Sequence, residues 1–258
     1  MLRKRIIFTL IYADKSFNQS RNFRLQKVGD IKWLEKNYKF KDIAFSLDEL
    51  IVIDASRKNK EIKVFSKELK RIVNSVFLPI TAGGGIKSID DAKLLFDNGA
   101  DKLILNSLLY TKPSVVNEII KQYGSQSVIA SVDYTKIDGV PTVMINNGTK
   151  KIDMNLGKYL KYIENLGVGE IYLNSIDRDG TGFGYDFEII DKMSNKLNKP
   201  LIIAGGAGNE KHLIEGLLRE KVDAVATANL FNFIGDGLVN ARKNVIKKNL
   251  NIANWDLG

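Results

Sequence analysis

Short, nearly continuous apolar runs alternate with stretches of helical periodicity along the whole chain. Eight runs predict strands, at residues 5–10, 50–54, 78–82, 102–106, 128–132, 170–174, 201–204 and 224–227. Apolar positions on both faces are expected where a parallel sheet is covered on both sides. The stretches between them read as helices. Ser88 is placed to N-cap one that carries Ala92, Leu94 and Leu95. Pro113 suits the first turn of another, followed by Val115, Val116, Ile119 and Ile120. This alternation predicts parallel βα units. No Pro/Ser-rich linker divides the chain, so 1–258 reads as a single domain.

A weak repeat runs through it. Ala82, Gly83 and Gly84 recur as Ala204, Gly205 and Gly206, each set behind a proline and a short apolar run. The offset is 122 residues, and Asp101 recurs as Asp223 at the same offset. Residues 6–10 match 128–132 likewise. Two four-strand halves, about 1–122 and 123–258, predict one α/β (β/α)8 TIM barrel built from two half-barrel repeats. A doubly wound open sheet is the competing architecture, and it leaves the duplication unexplained.

Composition narrows the chemistry. The 258 residues are 44% hydrophobic and 27% charged, enough for a large core and against disorder. Cysteine is absent, which removes thiolate nucleophiles, disulfides and Cys-ligated metals. His212 is the one histidine, so proton transfer falls to carboxylates, lysines or tyrosines; a surface or cap role is expected for it. Trp33 and Trp255 read as packing residues. The net charge of +9 favours anionic partners. The basic residues are scattered without aromatic interleaving, so a phosphorylated small molecule is expected and no nucleic acid. Neither a signal peptide nor an apolar run of membrane-spanning length is visible, which predicts a cytoplasmic chain with no membrane association.

The candidate chemistry lies where a barrel keeps it, at the C-terminal ends of strands. Gly84 and Gly85 follow the third predicted strand, and Gly205 and Gly206 the seventh. Without a Cβ, such backbone approaches an anion closely and points N–H groups at it. Asn106 and Ser107 end the next strand of the first half, and Ala228 and Asn229 the matching strand of the second. The pair suits two phosphates of one elongated substrate; the plainer alternative is tight turns. Asp179, Gly180 and Thr181 offer a carboxylate, an amide and a hydroxyl to a polar ligand, or form an Asp/Gly turn. Asp133 ends an apolar strand, where a carboxylate of raised pKa is a general acid or base. Asp54 is a second carboxylate of this kind.

Taken together, these residues resemble the cyclase subunit of imidazole glycerol phosphate synthase, a family of histidine biosynthesis. The likeness runs from Met1 almost to the end. It is carried by residues 4–7 (KRII), 83–86 (GGGI), 99–102 (GADK), 124–126 (GSQ), 175–181 (SIDRDGT), 184–186 (GYD) and 205–208 (GGAG). The resemblance implies a barrel that takes ammonia from a glutaminase subunit docked at its N-terminal face. The ammonia meets a bis-phosphorylated substrate, which is cut and closed into an imidazole ring, and no cofactor or metal is implied. It further implies two catalytic aspartates. One matches Asp133; the other falls on Ile11, and a family lysine falls near Gln19. Asp14 lies close by, in a loop predicted over 11–22. An ammonia gate of four charges matches Arg5, Glu49, Lys102 and Glu170, and a glutaminase contact matches Asp101. Family paralogues are associated with surface-polysaccharide synthesis, supplying ammonia to a separate amidotransferase that makes a sugar amidine. Ile11 fits that activity better than ring closure. A phosphate-binding isomerase barrel and a non-catalytic ammonia conduit are further alternatives.

Overall fold

The computed structural model describes residues 3–38, 43, 45–58, 60–229, 231–233 and 236–253. Trp255 lies outside them. Among the described residues twelve strands form: β1 Arg5–Ala13, β2 Ser16–Arg21, β3 Arg24–Gly29, β4 Glu49–Asp54, β5 Ile80–Gly83, β6 Lys102–Leu105, β7 Val128–Ile137, β8 Val140–Ile145, β9 Lys150–Asn155, β10 Glu170–Ser175, β11 Leu201–Ala204 and β12 Ala224–Thr227. Eight of them close a parallel barrel in the order β1, β4, β5, β6, β7, β10, β11, β12 and back to β1. Helices connect them, so the chain is a single (β/α)8 barrel.

The predicted punctuation holds in detail. Ser88 Oγ accepts from Asp91 N–H while the Asp91 carboxylate accepts from Ser88 N–H, a reciprocal cap on Ile89–Asp97. Pro113 opens Pro113–Tyr123. Trp33 packs against the outer core.

Two differences from the sequence reading matter for function. The stretch expected as a loop over 11–22 is strand: β1 runs on to Ala13 and folds back as β2 and β3. Likewise β7 continues past Val132 to Ile137 and folds back as β8 and β9, so Asp133 lies within its strand rather than at its end. Each barrel half therefore raises an antiparallel hairpin from its first strand. Both central residues of the turns are at positive φ: Asp14 and Lys15, Asn22 and Phe23, Asp138 and Gly139. That geometry matches the right-handed twist of a two-residue hairpin. Asp138–Gly139 was the signal that would have revealed one of them.

The core has two shells. Large apolar residues between strands and helices make the outer one. Inside the barrel is a separate cluster of Ile7, Ile51, Ile104, Ile129, Tyr172, Ile202, Ala204, Ala224 and Ala226. The inner shell separates the two ends of the barrel. No helix among the described residues is long and apolar enough to cross a membrane.

Candidate active site

Strand side chains alternate between faces with period two, so the inward positions can be followed up the barrel. At the bottom stand Arg5, Glu49, Lys102 and Glu170. Two residues on come Ile7, Ile51, Ile104 and Tyr172 of the inner cluster. Higher still, Thr9, Ile11, Ile53, Asn106, Ser131, Asp133 and Asn174 open into a cavity of about 750 Å³ at the C-terminal mouth.

Asp133 is 8% exposed and is held between two amides. Asn106 Nδ2 donates to one carboxylate oxygen at 3.1 Å, and Asn174 Nδ2 to the other at 3.1 Å. Burial pushes its pKa up to about 7, against the opposing hydrogen bond of Asn174 and with some help from the negative charge of Asp179. A carboxyl that titrates near neutrality can both give and take a proton there.

Of the other predicted ligand residues, Gly84, Gly85, Asn106, Ser107, Asp179, Gly180, Gly205, Gly206, Ala228 and Asn229 all line this cavity. Thr181 does not. Its hydroxyl donates to Arg178 O at 2.7 Å and closes the turn there. The glycines are needed as turns as well as for any ligand. At Gly84 (φ +94°) a Cβ would stand 2.2 Å from Asp54 O, and at Gly206 (φ +107°) 2.1 Å from Gly184 O. His212 has the cap role expected of it: its Nδ1 accepts from Gly208 N–H at 3.2 Å.

Where the half-barrel symmetry would place a partner for Asp133, Ile11 faces the cavity. Among the described residues no neighbouring carboxylate takes its place. Asp14 is exposed in the β1–β2 turn and does not line the cavity. Asp54 does line it, but is buried and accepts from Ser56 N–H at 2.9 Å.

Asp179 serves the β2–β3 hairpin. Its carboxylate accepts from Ser20 Oγ at 2.5 Å and Phe23 N–H at 3.0 Å, while Arg57 donates to Phe23 O at 2.8 Å. Phe23 is thereby held at φ 61°, an unusual conformation for a bulky residue, on the cavity wall. Sequence reasoning missed Asn174, Arg57, Lys60, Lys87, Lys112 and Tyr172 in the lining.

At the opposite end the four predicted gate residues close a ring of alternating sign. Arg5 bridges Glu49 at 3.0 Å and also pairs with Glu170. Lys102 bridges Glu49 at 3.3 Å and Glu170 at 2.6 Å. Thr81 Oγ1 donates to Glu49 at 2.5 Å. Burial opposes the charge of Glu170, but the Arg5 hydrogen bond with the Arg5 and Lys102 charges outweighs it and holds the carboxyl below its ordinary range. Asp101, exposed on this face, accepts from Ile80 N–H at 2.7 Å; Asp223 does the same for Leu201 N–H at 2.9 Å in the other half.

Comparison with known proteins agrees with this geometry. A family model described as histidine biosynthesis protein matches residues 25–235. "Putative imidazole glycerol phosphate synthase subunit hisF2" of Parasynechococcus marenigrum is 45% identical over 258 residues, covering 100% of this chain and 96% of its own. The imidazole glycerol phosphate synthase subunits HisF of Chlorobium limicola and Chlorobaculum tepidum are each 36% identical over 234 residues, 90% of this chain and 92% of theirs. The chain belongs to the HisF family of imidazole glycerol phosphate synthase subunits.

Proposed function

We propose that this chain is the synthase half of a glutamine-dependent enzyme. A glutaminase docks on the N-terminal face, ammonia enters through the charge ring, and a phosphorylated substrate receives it in the mouth cavity. The observation that carries this reading is the closed ring of Arg5, Glu49, Lys102 and Glu170 beneath an inner cluster that leads up to Asp133. A ring of charges costs desolvation energy that hydrophobic side chains would not, so its completeness argues for a task beyond stability. On the same face Phe77 is 92% exposed beside the strand start that Asp101 pins, and both are proposed glutaminase contacts. Ammonia crosses the apolar layer as the neutral molecule, since a bare ammonium ion there would be unpaired. At the mouth Asp133 moves the proton, while glycine amides at Gly84, Gly85, Gly205 and Gly206 hold anionic groups.

Ile11 favours a second reading of what happens to that ammonia. The ring closure implied by the family uses a carboxylate at this position, and an aliphatic side chain can neither carry nor orient a proton. Delivery of ammonia for amidination of a sugar by a separate amidotransferase therefore fits the mouth better than cyclisation. The test is to purify the chain with its glutaminase and follow nitrogen from glutamine. Complex formation with glutamine hydrolysis is expected, together with little turnover of the family substrate on ammonium salt. Absence of any glutaminase complex would overturn the first reading, and ordinary enzymatic cyclisation would overturn the second.

A further inference from the structure

Two hydroxyls interrupt the apolar interior of the barrel just beneath the mouth. Thr9 projects inward from β1 between Ile7 and Ile11, and Tyr172 from β10 between Glu170 and Asn174. Both are buried, and both line the floor of the cavity. Their oxygens lie 3.3 Å apart. The contact spans β11 and β12, the strands that stand between β10 and β1 in the barrel. The inward side chains of those two strands include Ala204, Ala224 and Ala226, so the hydroxyl pair bridges the side of the barrel with the least bulk.

Among the described residues neither hydroxyl has another hydrogen-bond partner. At 3.3 Å their contact is long for an O–H···O bond, which settles at about 2.7–2.8 Å. Whichever hydroxyl donates, the other keeps its hydrogen unused in a buried site, and that costs free energy until a third polar molecule takes it. Tyr172 stays a donor: burial pushes its pKa up against the opposing Thr9 hydrogen bond, and the charges of Asp133 and Asp179 add to the rise. Beside Tyr172 in register on β7 is Ser131, whose Oγ is 3.5 Å from the Asp133 carboxylate. Polar side chains therefore lead from the pair up to the buried acid, while Ile7, Ile51, Ile104 and Ile129 lie in the apolar layer beneath.

We propose that Tyr172 and Thr9 form a binding site for one molecule of neutral ammonia at the floor of the mouth. Thr9 donates to Tyr172 Oη, the phenol donates to the nitrogen lone pair, and one ammonia N–H returns to Thr9 Oγ1, so that both hydroxyls are satisfied. Ammonium has no lone pair to accept the phenol proton, and two uncharged hydroxyls give its charge no counterion, so the site selects the neutral base. The nitrogen is then held one layer below Asp133, with Ser131 between them. This deepens the reading of the barrel as an ammonia-using synthase and rests on it: it adds a residence site between the inner cluster and the acid.

The test uses the purified full chain, with carbon-13 at the tyrosine Cζ and threonine methyl positions, followed by NMR. It is titrated with ammonium chloride against sodium chloride, at an alkaline pH where part of the ammonium is ammonia and again in mild acid. Tyr172→Phe, which keeps the ring, identifies the Tyr172 signal among the nine tyrosines. That signal is expected to shift saturably in step with neutral ammonia and to stay in place in mild acid. Thr9→Val, of the same shape, is expected to weaken binding about threefold or more, the loss of one neutral hydrogen bond. Tyr172→Phe, read on the Thr9 methyl signal, is expected to do the same. No saturable shift, a shift that follows total ammonium, or unchanged binding in either variant would overturn the inference. With neither partner nor phosphorylated substrate in the sample, each result leaves glutaminase association, the test of the underlying reading, where it stands.

Discussion

Ile11 and Asp133 occupy equivalent positions on β1 and β7, 122 residues apart, and face one cavity with an aliphatic and a carboxylic side chain. The duplication makes the frame symmetric and this pair makes its chemistry one-sided. Ile11→Asp restores the symmetry. With both acids present, each disfavours the other's charge, so Asp133 should titrate still higher. Cyclisation of the family substrate on ammonium salt is expected to rise about 10²-fold or more, the usual yield of one placed acid–base group. No gain would mean that Gln19 and the clamped β2–β3 hairpin also bar the reaction.

Asp133→Asn tests the remaining acid in two ways. Nitrogen transfer should fall about 10²–10⁴-fold. Stability should move in the opposite direction, with a definite pH signature. The folded-state pKa is raised to about 7, so the native state retains a proton that the unfolded chain has released. The stability contributed by that proton is complete in acid and is lost as pH rises through about 7. The amide carries no such dependence. Thermal unfolding should therefore show Asp133→Asn gaining on the wild type between about pH 5 and pH 8.

The charge ring makes a prediction about coupling. Glu170→Gln leaves Arg5 and Lys102 facing Glu49 alone, and should cost about 3 kcal/mol in denaturant unfolding. Lys102→Met leaves a carboxylate under-paired in the same way. Because both belong to one ring, the double variant should cost less than the two singles together, by about 1 kcal/mol or more. The Glu170 carboxyl is held below its ordinary range, so its contribution is present above that range and disappears as pH falls through the folded value. Wild type should lose more stability than Glu170→Gln on going to strong acid.

The barrel and most of its mouth were legible because they rest on local rules. Nearly continuous apolar runs marked the eight barrel strands, and the repeat offset implied closure. Glycines after strands marked two turns of the cavity lining, and the family resemblance, not a local rule, marked the ring. The first hairpin was missed because polar β2 and β3 take their stability from pairing, β2 with β1 and β3 with β2, not from a hydrophobic face of their own. Asn174 was missed for a different reason. Nothing in its own stretch marks it; it matters because β10 lies beside β7 in register Asn174 to Asp133, a contact 41 residues apart in sequence. Lys60 and Lys112 looked like ordinary surface lysines until the barrel brought their loops to one wall.

If ammonia crosses the barrel as proposed, the inner shell decides where it can pass. Ile7, Ile51, Ile104, Ile129 and Tyr172 fill most of the barrel between ring and cavity, and the Tyr172 hydroxyl reaches across to Thr9 at 3.3 Å. On the β11–β12 side the same layer is Ile202 with Ala204, Ala224 and Ala226, and the three alanines are the smallest side chains in it. A small neutral molecule meets least bulk there. Ala224 is fully buried, so Ala224→Leu adds volume to that side at a packing cost of about 1–3 kcal/mol. Glutamine hydrolysis by the partner should continue, and the barrel should still use ammonium salt supplied at the mouth. Transfer of nitrogen from glutamine should drop severalfold or more, with free ammonia appearing in its place. Equal activity with both nitrogen sources would show that ammonia reaches Asp133 by another path, around the barrel instead of through it.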